Sequence, residues 1–233
     1  MIAATAVALT VAAAAATHAA PAKDVVGQSR QGRPIVAREL GDPAACRTVL
    51  VVGSIHGNET QGRRVVKRLR RHSRRLRGAQ LWTIETVNPD GVAADTRGNA
   101  RGVDLNRNFA AGWRSIPPSS GYYSGPHAFS EPETRAVRSF LRRLRPDVTI
   151  WYHQPFGRTL IPCERRGRRV ALRYARLSGL PARDCYPTPP GAATGWQNEA
   201  LREKAFVAEF ETGSLSRSQV RRHARAVLEI AGR

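Results

Sequence analysis

Lysine is almost missing from this chain. It occurs at positions 23, 67 and 204 only, which leaves Arg as 35 of the 38 basic residues. The net charge is +20. A skew of this kind follows most simply from GC-rich coding; its functional counterpart is attraction to a polyanion. No nucleic-acid-binding motif accompanies the charge, which points instead to an anionic cell wall or membrane surface. After the N-terminus there is no long apolar run, so no second membrane span is available. The three cysteines, Cys46, Cys163 and Cys185, form no CxxC pair, which argues against a cysteine zinc site. Their odd number leaves at least one thiol unpaired. No internal repeat and no low-complexity linker interrupts the chain, so residues 24–233 read as one domain with a core of ordinary size.

The N-terminal 20 residues are mostly Ala, Val and Thr and end in Thr17-His18-Ala19-Ala20-Pro21. No Lys or Arg precedes them. Ala and Thr are weakly apolar and the polar chain follows at once, so residues 1–20 read as a secretory signal peptide rather than an anchor. The expected location is therefore secreted or cell-wall associated, where a disulfide survives. Cys163 and Cys185 flank an irregular, Pro-rich segment and are the expected pair, with Cys46 free.

Strand and helix signals alternate, which predicts an α/β domain with a mixed, partly parallel sheet in three layers. Thr48–Ile55, Leu81–Val87, Asp147–Tyr152 and Ala205–Phe210 read as strands. A helix from Asn58 to about Arg71 carries Val65, Val66 and Leu69 inward, with the Arg63–Arg77 cluster as its solvated face and end. Ser130 and Glu133 read as a capping box for a helix to Leu144, and Ser216 with Gln219 as a second one. Pro155–Glu203 is expected to be a loop region with one helix near Val170–Leu177.

Two strand ends carry the chemistry. His56 and Glu59 follow the first core strand and His153 closes another, and the carboxyl ends of strands are where α/β sheets place sites. Two imidazoles and a carboxylate form the ligand set of a hydrolytic zinc site. HxxE alone is weak evidence. It is joined by Asn88-Pro89-Asp90-Gly91, Thr96-Arg97-Gly98-Asn99, Gly102-Val103-Asp104-Leu105-Asn106-Arg107-Asn108-Phe109 and Ser130-Glu131-Pro132-Glu133-Thr134.

In this order, from about residue 27 to 213, the segments resemble the zinc carboxypeptidase family, and within it the compact murein peptide amidase branch. The resemblance implies one Zn²⁺ on His56, Glu59 and His153. Asp104 would hold the His56 ring. Arg97 would polarise the scissile carbonyl, and Asn106 with Arg107 would bind the free carboxylate of a peptide substrate. Glu209 would be the general base, and Tyr186 would close over the substrate. The expected activity is exported metallocarboxypeptidase hydrolysis beside a free carboxylate, in peptidoglycan stem peptides among other peptides. A zinc deacylase or amidase of a small acylated amino acid is the alternative enzyme, and a non-catalytic wall-binding module the alternative of another class. Of the other histidines, His18, His72 and His223 are expected outside any site, the last two solvated among Arg residues. His127 is a candidate to line the cleft.

Overall fold

The computed structural model describes residues 22–71, 76, 78–163 and 165–232. The expected signal peptide, with His18, and also His72 lie outside the described residues. Eight strands form a single sheet in the order β1-β2-β4-β3-β5-β8-β6-β7. They are β1 Lys23–Gln28, β2 Pro34–Gly41, β3 Thr48–Val52, β4 Gln80–Ile84, β5 Val148–His153, β6 Phe156–Pro162, β7 Ala182–Tyr186 and β8 Lys204–Glu211. The centre, β4-β3-β5-β8, is parallel, whereas β1, β2 and β6 join antiparallel. The central strands are continuous apolar runs because both faces are covered. All six residues of β5 are buried.

The period of two divides each strand between two cores. Val148, Ile150 and Tyr152 of β5, with Phe206, Ala208 and Phe210 of β8, face α1 (Gln61–Arg71), α4 (Arg165–Ser178) and α6 (Arg217–Ala231). Trp151, Ala205 and Val207 face the other way, toward α3 (Pro132–Leu144) and α5 (Ala193–Trp196). This is the three-layer arrangement expected. Its consequence is positional: His153 and Glu209 project on the α3 and α5 side, and they are register partners on β5 and β8. From β3 the chain leaves through α1 toward β4, and from β5 it continues to β6 on the other flank. The crevice between β3 and β5 is therefore a topological switch point.

Several expectations change. The Pro155–Glu203 segment contains two strands, β6 and the edge strand β7, where a loop region was expected; the Cys163–Cys185 disulfide joins them and Cys46 is free and exposed, as expected. Pairing of β6 with β8, of β7 with β6, and the covalent tie make strands of segments with weak propensity. The capping box at Ser130 does not form. Glu131 is the N-cap, and Glu133 instead accepts from the Arg30 amide at 2.9 Å and Asn99 Nδ2 at 3.1 Å. The box at Ser216 and Gln219 does form. In α1, Arg63 and Arg70 turn inward to Glu85 rather than out to water.

His223 is buried, not solvated. It continues the inward stripe of Val220, Ala224 and Val227 on α6. Its Nδ1 lies 2.8 Å from Tyr174 Oη, which donates to Tyr152 Oη at 3.1 Å. Burial, with Arg222 adding to it, lowers the His223 pKa from 6.5 to about 4. Between those values the unfolded chain binds a proton that the folded chain refuses. The contribution is thus present above pH 6.5 and lost as pH falls toward 4, up to roughly 3 kcal/mol. Urea unfolding at pH 7 and pH 4.5 should show His223→Phe losing less stability on acidification than the parent; an equal loss contradicts this assignment.

Candidate active site

His56 sits in the short turn after β3, next to Gly57, a position with room only for glycine. A Cβ on Gly57 would lie 2.0 Å from the Gly91 carbonyl carbon. This close approach brings the β3 turn against the Asn88-Pro89-Asp90-Gly91 segment. Asn88 is fully buried there; its Oδ1 accepts from the Gly91 amide at 2.9 Å and its Nδ2 donates to Gly98 O at 3.0 Å. One side chain thereby caps α2 (Pro89–Ala94) and fixes the loop that carries Arg97.

Glu59 lies between the two imidazoles. His56 Nδ1 is 2.8 Å from Glu59 Oε1 and His153 Nδ1 is 3.0 Å from Glu59 Oε2. The other nitrogen of His56, Nε2, is 2.9 Å from Asp104 Oδ1. Asp104 also accepts from the Asn106 amide, as the cap of the 3₁₀ turn Leu105–Arg107. Arg97 rests on Asp104 through Nε and Nη2, both at 3.0 Å, and its Nη1 reaches Glu59 Oε1 at 2.9 Å. Burial disfavours charge on all these groups, yet opposite charges prevail. Glu59 is held well below the usual carboxylate range by His56 and His153, and Asp104 likewise by His56, Arg97 and Arg107. Burial opposes the charge on His56 too, but Asp104 and Glu59 raise its pKa.

A cleft of about 330 Å³ opens over this cluster. The expected residues His56, Glu59, Arg97, Asn106, Arg107, His153, Tyr186 and Glu209 all line it, and Asp104 lies behind it. Asn106 Oδ1 accepts from the Ala193 amide at 3.0 Å, tying the 3₁₀ turn to α5. Glu209 is buried, its Oε2 has no partner among the described residues, and burial raises its pKa. Glu211, on the same strand face, is exposed and outside the cleft. His127 is exposed and does not line the cleft; its Nδ1 lies 3.0 Å from Ala128 O. Sequence reasoning missed Tyr122. It is half-exposed, and the guanidinium carbons of Arg97 and Arg107 stand 5.0 and 5.3 Å from its ring centroid. Phe156, Thr188, Thr194 and Asn198 are further lining residues it missed. An aromatic pair in a Gly- and Ser-rich loop, Tyr122-Tyr123, was the available signal.

The donor atoms of His56, Glu59 and His153 lie within 4.8 Å of one another, buried and convergent. Two nitrogens and one carboxylate in that arrangement fit a divalent zinc ion, with Asp104 fixing which His56 nitrogen is free to bind it. Elemental analysis should find about one zinc per chain, and none in His153→Ala. In competition with a chromophoric chelator, Asp104→Ala should hold zinc about 10- to 100-fold more weakly. Unchanged affinity would remove Asp104 from the site.

Comparison with known proteins follows this geometry. Residues 10–163 match the zinc carboxypeptidase family model, Peptidase_M14. Murein peptide amidase A of Escherichia coli K12 is 31% identical over 158 residues, covering 59% of this chain and 61% of its own length. The chain thus aligns in sequence with about three-fifths of that relative. The crystal structure of murein-tripeptide amidase MpaA from Escherichia coli O157 superimposes with a TM-score of 0.74 at 26% identity, over 92% of this chain and 93% of that one. Carboxypeptidase A of Helicoverpa armigera, at 16% identity, shares the fold with a TM-score of 0.75, over 91% of this chain and 68% of its own. The order of the motifs, the convergence of two histidines and a glutamate at the switch point, and the match over most of the chain lead to one conclusion: this chain belongs to the zinc carboxypeptidase family.

Proposed function

We propose that the chain is an exported zinc-dependent hydrolase that cuts a peptide or amide bond next to a free carboxylate, with cell-wall stem peptides as its substrates. One observation carries the reading. Glu209, with a buried oxygen unpartnered among the described residues, stands beside His153 in register and faces the same cleft as the cationic wall of Arg97 and Arg107. A base and an anion clamp around one metal cluster in a single cleft suit hydrolysis at a carboxylate-bearing end. The similarity to the murein peptide amidases supports the stem-peptide substrate. The apolar run at residues 1–20 supports export, and the charge of +20 supports association with an anionic wall surface. Among the described residues no helix is long and apolar enough to cross a membrane.

Zinc on His56, Glu59 and His153 supplies a Lewis acid for the carbonyl and lowers the pKa of water. The protein supplies the rest. Arg107, with Asn106 beside it, takes the substrate carboxylate; a guanidinium fork can bind both oxygens. Arg97, held by Asp104 and lining the cleft, supplies a cation where charge develops on the carbonyl oxygen. Glu209 accepts a proton as water attacks the carbonyl carbon. It then gives that proton to the amine as the C–N bond breaks. Burial raises its pKa, which strengthens it as the base that takes the proton from water.

Glu209→Gln should keep zinc and lose about 10²- to 10⁴-fold in turnover of a free-carboxylate stem peptide. Glu211→Gln should retain most activity; the reverse pattern moves the base to Glu211. Amidating the carboxylate of the substrate should abolish cleavage, and Arg107→Ala should act mainly on kcat/KM. Equal cleavage of blocked and free substrates contradicts the clamp.

A further inference from the structure

We infer that the outer face of the α1–α6–α4 layer is a docking surface for a flexible, phosphate-bearing polyanion of the cell surface. These three helices carry six, four and six Lys or Arg residues respectively, against one carboxylate, Glu229. GC-rich coding exchanges Lys for Arg; it does not remove Asp and Glu. Some of the cations serve the fold. Arg63, Lys67 and Arg70 converge on Glu85, and Arg168 pairs with Asp184. Arg71, Arg169, Arg176, Arg217, Arg221 and Arg225 are exposed. Arg217, Arg221 and Arg225 recur at i, i+4 on α6, a spacing at which like charges destabilise a helix. Arg222 lies over Gly179 just beyond α4, so the basic surfaces of α6 and α4 meet there.

The occupant follows from what the face contains. Among the large apolar side chains exposed on the described residues, Leu172 alone lies on this layer, so the face lacks the apolar ridge that inserts into a bilayer. Its exposed positions carry no aromatic ring on which a base would stack. Spread cations without such anchors match a repeating phosphate polymer, which releases counterions as it binds. The layer covers the sheet face opposite the cleft, so a docked chain leaves the site open to substrate.

Immobilised long-chain inorganic polyphosphate tests this without using turnover. The wild-type protein should bind at about 50 mM salt and release steeply as salt rises. Replacing Arg217, Arg221 and Arg225 by Gln should weaken binding about tenfold. An α4 variant, Arg169→Gln with Arg176→Gln, should weaken it in the same direction. Removing three exposed charges elsewhere, at Arg30, Arg114 and Arg142, should change it less than twofold. Melting temperatures of the helix variants should match the parent or rise. Equal loss in both triple variants would reduce the effect to net charge and overturn the assignment. So would absent binding, or tighter binding to phosphatidylglycerol vesicles or duplex DNA than to polyphosphate.

Discussion

The site depends on one buried carboxylate held between two imidazoles. Glu59 is largely out of water, and its charge is tolerable there because His56, His153 and Arg97 all reach it within 3.0 Å. Breaking such a set leaves an uncompensated buried charge, which is strongly destabilising. The geometry that stabilises the cluster also makes it a metal cage, since the atoms that now meet one another are those a zinc ion would take. Asp104 serves both needs by orienting His56 and fixing Arg97.

The sheet supplies this convergence with little freedom for error. His153 and Glu209 are partners on adjacent parallel strands, so their relative placement is set by backbone pairing rather than by loops. His56 and Glu59 hang from a turn that is locked by the Gly57–Gly91 approach. Loops bring the cationic wall, yet these are also pinned, by Asn88 beneath Arg97 and by the Ala193 amide on Asn106. Asn108 joins them to α3: it donates to Ser124 O, His127 O and Ser130 Oγ and accepts from Thr134 Oγ1.

The central strands and amphipathic helices were legible in the sequence because burial on both faces, or on one stripe, writes a simple apolar pattern. The ligand set was legible because its residues sit at strand ends and in ordered motifs. What was illegible depended on tertiary partners. Strand β6 exists through pairing with β8, and β7 through pairing with β6 and the Cys163–Cys185 tie, not through propensity. Glu133 abandoned its local cap for Asn99 and the Arg30 backbone. His223 was misjudged from its Arg neighbours, although its spacing from Val220 and Val227 placed it on the inward stripe. For Tyr122 the only local signal is the Tyr122-Tyr123 pair; two guanidiniums from other segments give it meaning.

The central claim is that His56, Glu59 and His153 together hold the metal. X-ray absorption at the zinc edge of the loaded protein tests it most directly. The account expects two imidazole nitrogens at about 2.0–2.1 Å, oxygen completing the shell, and no sulfur. A sulfur shell near ~2.3 Å, or a spectrum with no imidazole pair, would contradict it.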